Sequence, residues 1–503
     1  MNIDAHSVLR LQVAKNNDTK NAELIYVGKN THRTFSLPPG SGSLILLPEE
    51  RLALFRLMLE VQDKGEKGLK WTARAIADLC DANLKTVSYL IRKLVRIDFI
   101  VADILRLEIG GERTAYLLSP DSVNLLQKSA FLEGDPIRAL QREVLLPKDG
   151  YNPDNKNRGG FSRSNRWLLS VLLEFSDPQG VVDDLSSKSL RELTGFTKER
   201  LRSQLKHLRC LGLLHTVVPG VLRDRVVGTK PPVYYLNLRH PTFGAARRPG
   251  VMILFRQTER AEDHVLPNAG QQILEKVEGL PASEKSLGKF ASFKELHSYE
   301  HLFFADGLNN FVYHHLESVI CRMTSFLVSD SGRRAQFGKK IGFEFLCSML
   351  DKPDKPDKPD KPDKPDKPDK PDKPDKPDKS RRIVACNVLY RAAEMRLLEL
   401  QTLVPTKIRL HASSLLVVPL VSSPIERNLT HVVEVFTNKQ SDTEYQCISI
   451  TMGKECKTER SNLLTAEQRK AFGFIDAQML EKVKQLGDPL FDGSQSKSEN
   501  DTG

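Results

Sequence analysis

The sequence lacks most of the features that would place the protein outside the cytosol or give it a catalytic centre. Its 503 residues carry seven cysteines, an odd and scattered set with no C-x-x-C pair. That excludes a zinc ribbon and a disulfide framework, and it fits a reducing compartment. The longest uncharged stretch, residues 410–425, is interrupted by serines and two prolines and is too short to span a bilayer as a helix. The opening residues lack the basic-then-apolar order of a signal peptide. None of the Gly-Lys pairs at 28–29, 288–289, 338–339 and 453–454 completes a G-x-x-x-x-G-K-[ST] phosphate loop. No His-x-His pair exists to serve a metal-dependent nicking site. The expectation from these absences is a cytoplasmic, nucleoid-associated protein that is not an enzyme, with no catalytic residue, metal, cofactor or membrane partner.

One hydrolase-like pattern is present. His297, Glu300 and His301 spell H-x-x-E-H, the order of inverted zinc-peptidase motifs. Zinc needs a third protein ligand, and none is identifiable. These histidines, and the pair His314-His315, are therefore read as helix-surface residues.

What the chain does have is a local excess of positive charge. Its formal net charge is +11, from 75 basic and 64 acidic residues. Residues 1–250 hold 38 Lys and Arg against 27 Asp and Glu, so residues 251–503 balance at 37 against 37. Within the first half, residues 151–250 alone hold 17 against 8. A basic segment inside a balanced chain is the footprint of a polyanion-binding module.

Low complexity marks a second landmark. From Asp351 the triplet Asp-Lys-Pro repeats nine times, and a final Asp-Lys pair closes the tract at Lys379. Proline at every third position forbids helix and sheet, and no apolar side chain is available to bury. The tract reads as an extended, disordered spacer, which at ~3.1 Å per residue could reach roughly 90 Å.

An internal repeat is the third landmark. Residues 168–214 superimpose on residues 54–100 at a constant offset of 114, with no gap. Leu54, Phe55, Leu57, Met58 and Leu59 meet Leu168, Leu169, Val171, Leu172 and Leu173. Val87, Ile91, Leu94, Phe99 and Ile100 meet Leu201, Leu205, Leu208, Leu213 and Leu214. Thr72 matches Ser186 and Asn83 matches Thr197, all good N-caps ahead of apolar-periodic runs. Each copy predicts a helix (49–62, 164–176), a short helix (73–80, 187–194) and a third helix (84–96, 198–211). Copy one continues into Leu105–Ile109, a Gly110-Gly111 turn and Thr114–Leu118. Copy two continues into strands at Leu213–Val218 and Val233–Leu238 around a longer tip. Three helices followed by a two-stranded ribbon is the winged form of the helix-turn-helix.

In that form the third helix presents its polar face to the major groove. Copy one offers Lys85, Thr86, Ser88, Tyr89, Arg92 and Lys93 there, with Arg113 on a short wing. Copy two offers Lys198, Arg200, Arg202, Ser203, Gln204, Lys206 and His207, with Arg223, Arg225 and Lys230 on a longer wing. Arg can bridge guanine O6 and N7, Gln can do the same for adenine, and Lys, Ser and Thr more often hold phosphate. Copy two, richer in Arg, is the better base reader. For copy one, dimerisation competes with DNA contact. Trp71 and Trp167 are expected in the core.

Beyond residue 250 helices are expected over 291–329 and 382–403, strands at 407–410, 414–420, 431–436 and 445–451, and a last helix over 466–486. The fold class is thus α+β. Two tandem winged helix-turn-helix domains come first, then a helical segment and a small α+β domain interrupted by the spacer. The expected divisions are 1–46 (short strands), 47–120 (first unit), 121–162 (linker), 163–245 (second unit), 246–350 (mainly helical), 351–379 (spacer), 380–490 (α+β) and 491–503 (disordered tail). Whether the spacer separates two domains or interrupts one stays open.

The paired units, with V-S-Y-L-I-R-K-L-V-R-I-D-F-I and L-R-S-Q-L-K-H-L-R-C-L-G-L-L as their helix-turn-helix stripes, resemble the tandem winged-helix replication initiators of plasmids. The plan is also similar to replication proteins of bacterial pathogenicity islands and integrative conjugative elements. The resemblance covers the first half only. It implies a bacterial protein that binds repeated double-stranded origin sequences through both modules, remodels DNA and recruits host replication proteins without its own ATPase; self-association is a separate expectation. The competing expectation is a transcription regulator whose C-terminal half senses a ligand or oligomerises. Gly212 stands where the turn after the helix usually has glycine, whereas copy one has Asp98 there.

Overall fold

The computed structural model of the chain describes residues 12–14, 23–27, 32–36, 46–64, 71–80, 82–106, 112–120, 122, 136–145, 162–224, 228–246, 251–256, 310–329, 379–403, 415–420, 431–436, 445–450 and 456–460, with positions 269, 346 and 349. Helices and strands are mixed along it, an α+β arrangement. An antiparallel meander of β1 (Gln12–Ala14), β2 (Glu23–Val27) and β3 (His32–Ser36) comes first.

The repeat follows. Its first copy is α1 (Pro48–Lys64), α2 (Ala73–Leu79), α3 (Leu84–Arg96), β4 (Ile100–Arg106) and β5 (Glu112–Leu118). After α4 (Pro136–Leu145) the second copy runs α5 (Arg163–Phe175), β6 (Val181–Val182), α6 (Ser187–Thr194), α7 (Lys198–Cys210), β7 (Leu214–Val218), β8 (Val221–Asp224), β9 (Gly228–Lys230) and β10 (Val233–Leu236). These helices begin and end within two residues of the ranges read from periodicity. The first strand of copy one starts earlier than expected, at Ile100, because the chain turns directly out of α3 into the ladder with β5. In copy two β10 lies between β6 and β7, antiparallel to both. In copy one, among the described residues, a single antiparallel bridge joins Trp71 to Tyr116 of β5.

The two copies share α1. Ala53, Leu54 and Leu57 enter a core with Ile76, Val87, Leu90, Ile91 and Leu94. Leu52 and Phe55 enter the other, with Trp167, Leu168, Leu172, Leu190 and Leu208. Each fully buried Leu or Phe contributes roughly 1.5–3 kcal/mol of transfer free energy, so a helix apolar on two sides joins both cores. The segment expected as a linker also contributes structure. Ile137, Leu140, Val144 and Leu145 of α4 are buried in the second core, and Gln141 donates to the Ser170 carbonyl and the Glu174 carboxylate, both at 3.0 Å.

After a 3-10 turn at Pro241–Ala246 come β11 (Val251–Arg256), α8 (Asn310–Ser329), α9 (Lys379–Leu403), β12 (Leu415–Leu420), β13 (His431–Phe436), β14 (Tyr445–Ile450) and β15 (Cys456–Arg460). The sheet order is β12-β11-β13-β14-β15, with β11 parallel to β12 and antiparallel to β13. Helix α8 packs on α9 and on β12. A strand and a helix from before the Asp-Lys-Pro tract are thus joined to a helix and strands from after it. Of the two arrangements left open by the sequence, this pairing favours one α+β unit with the tract inserted in it. Neither β11 nor β15 is legible locally. The run V-M-I-L-F has no alternation, and C-K-T-E-R has no apolar face, so only pairing makes them strands. The expected strand at 407–410, the helix at 466–486, the spacer and His297, Glu300 and His301 lie outside the described residues.

The α+β unit is fastened to the second copy by buried and part-buried polar contacts. Arg322 of α8 reaches Asp183, and Asp177 at 3.7 Å. The Tyr235 hydroxyl and Ser318 Oγ are 2.7 Å apart. His315, Glu317, Ser318, Thr324 and Ser325 are all buried along α8, and the Glu317 carboxylate accepts from Arg396 of α9 at 2.7 Å.

A pH dependence follows from β7. Burial, then the charge of Arg239 and that of His240, push the His215 imidazole down to about 3. A histidine neutral in the folded chain and cationic in the unfolded one favours folding above its ordinary pKa of about 6.5, and that contribution is lost as pH falls from 6.5 toward 3. Urea unfolding should show stability dropping by about 2 kcal/mol between about pH 6.5 and 5. His215→Gln should flatten that limb.

Candidate nucleic-acid interface

Both third helices are set by matching local chemistry. Thr72 and Ser186 cap α2 and α6, accepting from the backbone N–H of Ala75 and of Ser189, and Asn83 and Thr197 cap α3 and α7, accepting from Lys85 and Arg200. At the other end Asp98 takes a left-handed φ of 53° and Gly212 one of 71°. The closing bonds correspond too. Phe99 N–H donates to Leu94 C=O and Leu213 N–H to Leu208 C=O, both at 3.0 Å. Asp98 thus adopts the glycine conformation at a steric cost. Asp98→Gly should stabilise the chain by about 1 kcal/mol and Gly212→Ala should destabilise it by about as much, read as opposite shifts in thermal midpoint.

On α3 the apolar stripe Val87, Leu90, Ile91 and Leu94 is buried. Lys85, Tyr89 and Arg92 are exposed, and the Arg92 guanidinium lies 5.3 Å from the Tyr89 ring centre. Thr86 and Ser88 are half-buried, and Arg113 is exposed on β5. Lys93 is turned inward, donating to both Glu50 oxygens at 2.8 and 2.6 Å. Arg96 is a residue the sequence reading missed. It is exposed, and with Lys85, Tyr89 and Arg92 it completes a line at i, i+4, i+7 and i+11, a periodicity that could have found it.

On α7, Leu201 and Leu208 are buried, while Lys198, Arg202, Ser203, Lys206 and the unforeseen Arg209 are exposed. Gln204 and His207 are half-buried, and Gln204 Oε1 is out of water with no hydrogen bond. Arg200 is likewise turned from the outer face. It donates to the Glu49 carboxylate and to Ser164 Oγ, both at 2.6 Å, and its guanidinium lies 4.7 Å from the Phe196 ring centre. Burial works to raise the Glu49 pKa, but the hydrogen bond and charge of Arg200 hold it below the ordinary carboxylate value.

The wing expectation needs one correction. Lys230 is buried, and its ammonium donates to the Met349 carbonyl at 2.8 Å. It is turned inward rather than presented on an exposed wing. Of the other wing residues, Arg225 lies outside the described residues and the side chain of Arg223 is not described.

The first turn of α1, which sequence periodicity could not single out, is where the copies meet. Glu49 takes Arg200, Glu50 takes Lys93, and Arg51 donates to the Leu193 carbonyl at 2.7 Å, to Glu192 C=O and to Leu46 C=O at 3.0 Å. The cation of Arg51 thus sits at the carbonyl end of α6, where the helix dipole favours it. Gly195 beside it is left-handed at φ 73°, a conformation that a side chain would strain, although a Cβ would stand at ordinary contact, 3.4 Å, from Arg51 Nε and Pro48 Cγ.

Among the described residues no group of His, Cys, Asp and Glu could hold a metal ion, and no helix is long and apolar enough to cross a membrane. No protein-family model matches the chain, and no curated protein does.

Proposed function

We propose that the chain is a sequence-specific double-stranded DNA-binding protein that presents α3 and α7 to neighbouring major-groove segments. The reading is that two winged helices stand in tandem. The observation that carries it is the equivalence of the two copies down to caps, left-handed turn and closing bonds, each with an exposed cationic line on its third helix. The β6-β10-β7 order, a strand between the first two helices joined to the hairpin after the third, supports the same reading. Together with the resemblance to plasmid initiators, this favours a role in replication or maintenance of a bacterial mobile element. A second reading of the first unit, as a protein-binding or dimerisation surface, is favoured by its exposed Leu84, Tyr89, Val101 and Ile104.

The test is binding of the full chain to a pool of random duplexes of about 40 bp, over a series of salt concentrations. The logarithm of the affinity should fall linearly with log salt, and replacing Arg202 and Lys206 by alanine should shallow that slope by about two units, one for each phosphate that is no longer neutralised. Salt-independent binding, or none, overturns the proposal. Occupancy mapping in a bacterial host then separates the two roles: clustered direct repeats on one element for an initiator, single palindromes at promoters for a regulator.

A further inference from the structure

Resting on that reading, we propose that Arg200 is a positioning residue. It sets the separation between α3 and α7 by bracketing the second unit to the first, and it does not read bases. Three partners hold its guanidinium at once: the Glu49 carboxylate on α1, the Ser164 hydroxyl on α5 and the Phe196 ring before α7. Base reading would require releasing all three. The neighbouring carboxylate does the reciprocal task, since Glu50 receives both the Lys93 ammonium of α3 and the Leu47 backbone N–H at 2.7 Å. Consecutive residues on a helix project about 100° apart, so Glu49 and Glu50 diverge from one turn toward two different helices. Arg51 completes the turn by holding the end of α6, the helix just before α7. One turn of α1 therefore touches both third helices, each through an acid–base pair.

The Glu49–Arg200 pair is partly exposed, with side chains 43% and 36% accessible, so its worth to overall stability is small. Its effect is geometric, and the test must read geometry. Two measurements on the full chain do so, each with wild type, Arg200→Glu and the reciprocal swap Glu49→Arg with Arg200→Glu.

In the first, hydrogen exchange without DNA, Arg200→Glu should speed exchange severalfold in the first turn of α1 and in α3 as well as in α7, and the swap should restore protection. Exchange that rises in α7 alone overturns the proposal.

The second is selection from random duplexes of about 40 bp. Wild type should enrich two sub-motifs at one separation. Arg200→Glu should enrich them at mixed separations with roughly tenfold weaker binding, and the swap should return the single separation although no guanidinium remains at position 200. A swap that binds no better than Arg200→Glu, with one base position missing from the motif, identifies Arg200 as a reader and overturns the proposal. Failure of wild type to enrich any duplex removes the DNA-binding function itself, and the exchange measurement still decides the bracket.

Discussion

Replacing Trp167 with alanine is expected to lower the unfolding free energy by about 4 kcal/mol, the upper range for truncating a buried aromatic. Trp167 is 7% exposed, packs edge-on to Phe55 at 5.9 Å between ring centres and 62° between planes, and donates its Nε1–H to the Thr194 carbonyl at 3.1 Å. Alanine leaves a cavity between α1 and α5 and an orphaned carbonyl at the end of α6. Urea unfolding followed by far-ultraviolet circular dichroism measures the loss. The only other tryptophan, Trp71 in the first unit, reports whether the damage spreads. Because α1 serves both cores, the Trp71 emission should also shift at a lower urea concentration. An unchanged Trp71 midpoint would mean that the two units unfold independently.

Arg322→Met should cost about 3 kcal/mol, because it strips the cation from two acidic partners while nearly conserving volume. Arg322 holds Asp183 and Asp177, and burial opposes its charge, yet those two carboxylates raise its pKa above the ordinary value. Asp177 is organised from both sides. One oxygen accepts the Gln179 and Val181 backbone N–H groups at 2.8 and 2.9 Å, and the other faces Arg322. Burial raises the Asp177 pKa, and Arg322 works against that rise. Removing Arg322 leaves a carboxylate that binds its proton more readily when folded than when unfolded. The destabilisation should therefore be full at neutral pH and shrink as pH falls through the carboxylate range. Equal losses at about pH 7 and 4 would show that packing, not charge, is responsible. Limited proteolysis should become faster at residues 176–183, where α8 lets go of the second unit.

The cationic faces of α3 and α7 were legible because a helix period and its caps are local. Val87, Ile91 and Leu94, or Leu201 and Leu208, define a buried stripe from spacing alone, and the opposite face follows from geometry. The same logic could not foresee what holds Lys93, Arg200 and Lys230. Each lies on or beside a polar face, and nothing within its own helix or strand says that Glu50, Glu49 or Met349 will arrive from elsewhere. Charge identity is written locally, whereas the partner is chosen by packing. The line Lys85, Tyr89, Arg92 and Arg96 was available in the sequence and only needed extending by one turn.

By itself, then, the sequence determined the repeat, its helix limits and caps, and the apolar stripe of each third helix. These depend on interactions within a few residues, repeated at an offset of 114. Even Asp98 could be matched to Gly212 by position. That an aspartate there would take the left-handed turn was decided by the closing bond from Phe99 to Leu94. Only the tertiary structure decided that α1 belongs to both cores, that α4 packs on α5, and that β11 pairs with strands arriving more than 150 residues later. Those outcomes rest on contacts between segments far apart in the chain. Their stabilisation comes from surface that becomes buried only when both partners are present.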